Sequence, residues 1–173
     1  VSLADVEAAR ARLEGRILMT SLTLSEGFRD LIPARPWLKF ENLQRTGSFK
    51  ERGALNRMML LSEEERARGV IAASAGNHAQ GVAYHAGMLG IRSTIVMPER
   101  TPLTKVWNTE RHGARVVLHG HSYDEAQEET LRLVESEGQV LVHPFDDPAV
   151  IAGQGTIALE LLDQFPGLDV VVV

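Results

Sequence analysis

From Gly69 onward the chain alternates short apolar runs with amphipathic segments, and this alternation restricts the possible folds more than any other feature. The period of the pattern predicts four strands and three helices. Strands that alternate with helices form right-handed βαβ units on a parallel sheet. The sequence therefore predicts the α/β class. The predicted strands lie near residues 70–73, 93–97, 116–118 and 140–143, and the predicted helices near 79–89, 103–112 and 123–137.

The two ends of the chain are less regular. Ser2 and Asp5 are typical of a capping box, and the helix that follows is expected to end near Gly15. Further elements are predicted from local pattern: an irregular stretch over 17–36, a strand over 37–40, helices over 48–61 and 153–164, and the start of a fully buried strand over 169–173.

Composition removes several classes of function. The net charge is −5 and the basic residues are scattered, so no nucleic-acid partner is expected. No stretch approaches ~20 apolar residues, so no membrane span is expected. The chain has no cysteine, which fits a reducing compartment, and a cytoplasmic location is predicted. His119 and His121 look like a metal pair but have no third ligand at clear spacing, so no metal site is expected.

Lysine is rare in this chain. Of the 18 basic residues only Lys39, Lys50 and Lys105 are lysines. Lys50 follows a Thr-Gly-Ser turn where a helix can begin, and the helix dipole there lowers the pKa of an amine. Lysine can lose its proton and form a Schiff base, whereas arginine cannot do so usefully. Lys50 is therefore a candidate catalytic amine; the alternative is an ordinary exposed lysine on an amphipathic helix.

A second segment, Ser-Ala-Gly-Asn-His-Ala-Gln-Gly at residues 74–81, joins a predicted strand to a predicted helix. A small-residue turn in this position points backbone N–H groups outward and binds phosphate or carboxylate. Asn77 can cap the helix or bond a ligand hydroxyl. A plain strand-to-helix turn capped by Asn77 explains the segment equally well, and no G-x-G-x-x-G or Walker pattern supports a nucleotide.

Together the two segments resemble the threonine dehydratase branch of the pyridoxal-phosphate enzymes with the tryptophan-synthase-β-like fold, fold type II. The resemblance covers nearly the whole chain, through the motifs at residues 39–44, 46–50, 74–81, 96–98 and 151–156. It implies a two-domain parallel-sheet α/β fold whose C-terminal part, with the phosphate loop and the partner of the pyridine nitrogen, lies beyond residue 173. We expect residues 1–67 and 153–173 in a large domain and residues 68–152 in a small, movable one.

The resemblance also implies roles for particular residues. Lys50 would be the Schiff-base lysine and catalytic base, and Phe49 would pack against the ring of pyridoxal 5'-phosphate. Asn77 would bond the ring hydroxyl of the cofactor. The carboxylate of a small amino-acid substrate would be held by the backbone N–H groups of the loop Ser74, Ala75, Gly76, Asn77 and His78.

The implied activity is the dehydration and deamination of L-threonine and L-serine to 2-oxobutanoate or pyruvate and ammonia, by a homo-oligomer, dimer or tetramer. Serine racemases share almost all these motifs but need a second acid or base on the opposite face of the substrate. In racemases this is a serine one place after the position of Ser74; Ala75 stands there in this chain, which favours dehydration. A truncated, non-catalytic homologue is the other alternative, and the 173-residue chain alone is expected to be inactive.

Overall fold

The computed structural model describes all residues from 1 to 173. None of its helices is both long and apolar enough to cross a membrane. The helices are α1 (Leu3–Leu13), α2 (Glu26–Arg29), α3 (Lys50–Met59), α4 (Glu63–Arg68), α5 (Asn77–Met88), α6 (Leu103–Glu110), α7 (Tyr123–Glu137) and α8 (Pro148–Gln164). The strands are β1 (Leu22–Leu24), β2 (Trp37–Lys39), β3 (Val70–Ala73), β4 (Ser93–Met97), β5 (Arg115–Leu118) and β6 (Val140–Leu141).

The main sheet has four parallel strands in the order β5-β4-β3-β6. Strands β3 and β4 are buried along their whole length because helices cover both faces, as a parallel sheet requires. Val70 and Ile95 pack with α5 on one face, whereas Ile71 and Val96 pack with α7 on the other. The parallel α/β sheet predicted from the sequence is thereby confirmed.

Helix α8 begins earlier than the sequence suggested, at Pro148 rather than near residue 153. The carboxylate of Asp147 accepts hydrogen bonds from the N–H groups of Ala149 and Val150, and a proline is favourable in the first turn. The segment around Gln154 therefore lies inside α8 and does not start it. This matters for the site because Gln154 faces α3.

Two other expectations were wrong. Residues 17–36 are not wholly irregular, because β1 pairs antiparallel with β2 and the short α2 follows β1. Residues 169–173 form no strand, and the four valines are exposed. Neither sheet of the chain provides a neighbouring strand to pair with that backbone, and an unpaired strand is not stable in water.

Helix α3 is packed closely between α5 and α8. A Cβ atom at Gly81 of α5 would lie 3.2 Å from the Cα of Glu51, and one at Gly153 of α8 would lie 2.6 Å from the Cα of Gly53. Glycine therefore lets both neighbouring helices touch the backbone of α3. The first turn of α3, where Lys50 lies, is held between them.

Buried charges join α3 to the α8 side. The guanidinium of Arg52, 1% exposed, bonds the carboxylates of Glu41 and Glu160. Lys39 also contacts Glu160. Burial alone would raise the pKa of Glu41, but the hydrogen bonds from Arg52 and Thr20 outweigh it and leave the pKa below its ordinary value. This network fixes the direction of α3 relative to β2 and α8.

Candidate active site

Lys50 is the first residue of α3, which begins two residues later than the helix predicted over 48–61. Its Nζ donates a hydrogen bond of 2.8 Å to the carbonyl oxygen of Pro144 and lies 5.4 Å from the centre of the Phe49 ring. The pKa of the amine is lowered from its ordinary 10.5, in the predicted direction. The cause is burial, because loss of solvent disfavours the charged form.

The loop after β3 ends in the N-terminus of α5. The hydroxyl of Ser74 accepts hydrogen bonds from the N–H groups of Gly76 and Ala79, each at 3.2 Å. The alternative in which Asn77 caps this helix is therefore wrong: Asn77 is its first residue and Gly76 holds the N-cap position, while the Ser74 hydroxyl serves the N–H of Ala79. The N–H groups of Ala75, Asn77 and His78 are left without a partner in the chain, which suits an anion.

His78 is buried, 3% exposed, in the first turn of α5. Its Nε2 lies 2.9 Å from the carbonyl oxygen of Val142, which can only accept, so Nε2 carries the hydrogen and Nδ1 is a bare acceptor. Nδ1 has no partner. Burial lowers the pKa of His78 to about 4, and the nearby charges of Lys50 and His143 act in the same direction. The imidazole is therefore neutral at neutral pH.

The segment after β6 brings the two parts of the site together. Its carbonyl groups hold Lys50 through Pro144 and His78 through Val142. Gly81, one turn further along α5, would place a Cβ atom 3.5 Å from the carbonyl carbon of Lys50. Sequence reasoning missed Pro144 and Val142, because a backbone carbonyl leaves no signal in side-chain identity.

Gln154, a weak candidate for a ligand from the sequence, has its amide directed at α3. Its Oε1 accepts from the N–H of Gly53 at 3.2 Å, and its Nε2 lies 3.5 Å from the carbonyl oxygen of Lys50. The contact supplies a partner to the first turn of α3, whose N–H groups have none within the helix. Gln154 therefore supports the helix that carries Lys50.

A cavity of about 520 Å³ lies beside this site rather than in it. Phe49 and Gln154 line one side, and residues 168–173 line the other. Neither Lys50 nor the loop at 74–78 borders it. The site is therefore identified by its chemistry, a half-buried amine next to unpaired N–H groups, and not by the size of the cavity.

The chemistry of these groups defines a class of protein. An amine of lowered pKa can condense with a carbonyl group, and the adjacent helix N-terminus can hold a carboxylate at a fixed distance from it. Helix α5, which begins at the loop, packs against the parallel sheet, and α3, which carries Lys50, packs against α5. This is the arrangement of an enzyme that attaches a carbonyl cofactor to a lysine and acts on a carboxylate-bearing substrate.

The chain belongs to the pyridoxal-phosphate dependent enzyme family, whose sequence profile matches residues 13–173. It is 52% identical over its full length to the L-threonine ammonia-lyase of Thermotoga maritima, of which it covers 43%. It is 46% identical to the catabolic L-threonine dehydratase TdcB of Escherichia coli K12, of which it covers 53%. The resemblance found in the sequence is confirmed, and the chain spans about half the length of these curated relatives.

Solved structures give the same fold. The processed form of threonine deaminase isoform 2 from Solanum lycopersicum superposes with a TM-score of 0.86 at 44% identity, over 94% of this chain and 44% of that one. Maize serine racemase superposes with a TM-score of 0.93 at 34% identity, over 98% of this chain and 51% of that one. Fold similarity therefore does not separate a lyase from a racemase.

The residues present fit pyridoxal phosphate. The Lys50 amine suits its aldehyde carbon, and the Phe49 ring beside that amine offers a flat apolar surface. The amide of Asn77 offers donors and an acceptor for a ring hydroxyl. The unpaired N–H groups of Ala75 and His78 remain for a substrate carboxylate. The donor set thus matches the cofactor of the family.

Proposed function

We propose that the protein containing this chain converts L-threonine to 2-oxobutanoate and ammonia, and L-serine to pyruvate and ammonia, with pyridoxal phosphate as cofactor. The observation that carries the proposal is Lys50, a half-buried amine of lowered pKa at the start of α3, next to the N-terminus of α5. Identity of 52% to a named L-threonine ammonia-lyase over the whole chain supports this substrate.

Lys50 is the proposed catalytic residue. When bound, the cofactor supplies an electron sink for the substrate Cα. Lys50 would hold it covalently until the amino group of the substrate displaces Nζ, and the freed Nζ would then take the Cα proton as a general base. Burial lowers the pKa of this amine, so a larger share of it is unprotonated near neutral pH. The carbonyl oxygen of Pro144, 2.8 Å away, fixes Nζ in place.

The loop at residues 74–78 is the proposed carboxylate site. The N–H groups of Ala75, Asn77 and His78 point away from the chain's own acceptors and lie at the positive end of α5. A carboxylate held there fixes the direction of the Cα–H bond relative to Lys50. The neutral imidazole of His78 holds the loop to Val142, so its proposed role is support rather than proton transfer.

Ala75 makes dehydration the better proposal than racemisation. Lys50 can serve only one face of the substrate Cα, and racemisation needs a second acid on the other face. A methyl group at Ala75 cannot supply that proton. The similarity to maize serine racemase extends over 98% of this chain, so the identity of this one side chain, rather than the fold, supports the choice.

The test uses the full-length protein with Lys50→Ala and a matched Lys105→Ala control, since Lys105 is exposed on α6. Lys50→Ala should lower kcat by about 10²-fold or more, because a general base contributes about 10²–10⁴-fold. After borohydride reduction and proteolysis, this variant should give no peptide that carries the pyridoxyl group. Lys105→Ala should keep wild-type turnover. A wild-type protein that forms no 2-oxo acid from either substrate, or a tag found on Lys39 or Lys105, would refute the proposal.

The domain division is also a proposal. The proposed division has one domain of residues 1–67 and 153–173 and a second of residues 68–152. It is supported by the main sheet, whose strands all lie within 68–152, and by the packing of α1, α3 and α8 against one another. Helix α3 also packs against α5, and α8 begins at Pro148, so both helices lie at the junction of the two domains. We place the whole enzyme in the cytoplasm as a dimer or tetramer. Light scattering of the full-length protein tests the assembly, and a monomer that turns over L-threonine would contradict it.

A further inference from the structure

Glu51, the residue after Lys50, is completely buried. Its Oε2 accepts hydrogen bonds of 2.8 Å from both the N–H and the hydroxyl of Thr46. Its Oε1 has no partner and no contact with solvent. Burial alone would raise the pKa of Glu51, but the neighbouring His85 and the bonds from Thr46 outweigh it and lower the pKa. A charged carboxylate therefore lies in the interior with one oxygen unsatisfied.

His85 on α5 lies opposite that oxygen. It is 4% exposed, and its Nε2 is buried without a hydrogen-bond partner, 3.9 Å from Oε1 of Glu51. A hydrogen bond needs a separation of about 2.7–3.2 Å, so the two atoms are about 1 Å too far apart. A carboxylate only accepts and an imidazole N–H donates, so the groups are complementary. The two unpartnered atoms therefore face each other just beyond hydrogen-bond distance.

The position of this pair connects it to the site. His85 lies one turn after Gly81 on α5, and Gly81 contacts the backbone of Lys50 and Glu51. The same helix begins at the loop proposed to hold the substrate carboxylate. The gap between α3 and α5 at these two points therefore sets the distance between Lys50 and that loop.

We propose that Glu51 and His85 are positioning residues whose contact closes to a hydrogen bond when substrate is bound, and so sets the distance between Lys50 and the carboxylate loop. The inference rests on the proposed function. A substrate whose carboxylate is held by α5 and whose Cα proton faces Lys50 bridges the two helices. Because the helix backbones already touch at Gly81, the contact closes by movement of the His85 and Glu51 side chains. Closure then satisfies both buried atoms at once, which adds to the affinity for substrate.

The first test is structural. The probe is L-2-aminobutyrate, which is threonine without the hydroxyl and therefore cannot lose water. Crystal structures of the full-length, cofactor-loaded enzyme are compared with and without it. The distance between Nε2 of His85 and Oε1 of Glu51 should shorten to about 3 Å in the complex. A distance that stays above about 3.5 Å with the probe bound in the site would overturn the proposal.

The second test measures coupling. The dissociation constant of L-2-aminobutyrate is obtained from the cofactor absorbance of His85→Leu, Glu51→Gln and the double variant. His85→Leu should weaken binding about 10-fold, as for a lost hydrogen bond to a charged group, and the double variant should be no weaker than the worse single variant. His85→Gln, which restores a donor, should recover most of the affinity. Effects that add, or a His85→Gln protein as weak as His85→Leu, would overturn the proposal.

His112→Leu is the matched control, because His112 packs edge-on against the same Tyr84 ring as His85 but does not face Glu51. It should bind the probe within about twofold of wild type. If Glu51→Gln does not fold, the His85 variants and the crystallographic distance still decide. An enzyme that binds the probe and forms no 2-oxo acid refutes the proposed function; an active enzyme without coupling refutes only the positioning role.

Discussion

Glu51 and Arg52 are neighbours in the first turn of α3, both charged and both buried, but their surroundings differ. The guanidinium of Arg52 bonds the carboxylates of Glu41 and Glu160 on the α8 side. Glu51 points to the α5 side, where one carboxylate oxygen is bonded and the other has no partner. On the α8 side of α3 the buried charge has its hydrogen-bond partners, whereas on the α5 side one buried carboxylate oxygen has none.

This difference explains how α3 can be held rigidly against α8 while its contact with α5 can still change. A buried ion pair with all its hydrogen bonds is costly to disturb, because any displacement leaves a charge unpaired. In a buried pair that lacks its hydrogen bond, formation of that bond lowers the free energy of the protein. Lys50 is therefore fixed relative to α8, while the contact between the side chains of Glu51 and His85 on the α5 side can still close.

Arg52→Met removes the ion pairs on the α8 side of α3 and should have the largest effect on stability. It leaves Glu41 and Glu160 buried with one cation fewer, so the free energy of unfolding should fall by about 3–5 kcal/mol. Urea unfolding of the full-length protein measures the loss. The control Arg10→Met removes an exposed pair with Asp163 and should cost under about 1 kcal/mol. Similar losses in the two variants would show that the network is not what holds α3.

The α5 side should be the part that responds to mild acid, because of His78. Burial lowers its pKa to about 4, whereas an unfolded histidine titrates at about 6.5. Between these pH values the unfolded chain binds a proton that the folded chain does not. This contribution to stability is complete above about pH 6.5 and is lost as the pH falls toward 4, by up to about 3 kcal/mol.

Unfolding of the full-length protein at about pH 7, 6, 5 and 4.5 tests this. The matched variant is His78→Gln, whose amide can donate to the carbonyl oxygen of Val142 but does not titrate. Its stability should decline less steeply than that of wild type between about pH 6.5 and 4.5. Parallel declines would mean that another group causes the loss.

Gly81→Ala changes the contact between α5 and α3 and should lower the stability less than Arg52→Met does. The added methyl group would lie 3.2 Å from the Cα of Glu51, and backbone on both sides cannot move independently. We expect a loss of about 1–3 kcal/mol in unfolding free energy and a weaker affinity for L-2-aminobutyrate. Gly27→Ala is the control, since nothing lies within 4 Å of its added atom. A Gly81→Ala protein with wild-type affinity would show that the spacing at this contact does not matter.

The sequence predicted the sheet better than it predicted the site. Strands β3 and β4 and helix α7 have the predicted bounds, because continuous apolar runs and helical periodicity are local signals. The structure adds a capping box at Ser122, which starts α7 at the predicted residue. The failure at residues 169–173 has a different origin. An apolar run predicts a strand only where another strand is available to pair with it, and that is not a property of the run itself.

In the site, too, the sequence predicts what is local and misses the contacts that come from distant parts of the chain. Lys50 stands out because lysine is rare in this chain and follows a glycine-containing turn. Its partner Pro144 and the support of His78 by Val142 are backbone carbonyls more than 60 residues away along the chain, and no residue type marks them. Nothing in the sequence marks Glu51 either, since burial of a charge is decided only by what packs around it.

Ala75→Ser should have the smallest effect and tests the chemistry of the loop on the α5 side. Wild-type enzyme should convert L-serine to pyruvate with little D-serine, because the methyl group of Ala75 supplies no acid to the side of Cα opposite Lys50. The new hydroxyl should give a measurable but minor fraction of D-serine, since it needs both the right direction and a proton source. Chiral chromatography of the products measures the ratio.

Ala75→Gly is the control, because it changes the loop without adding an acid and should leave D-serine at the wild-type level. D-serine formed by wild type at a rate close to that of pyruvate would mean that another group serves the second face, and Ala75 would then not separate the two reactions.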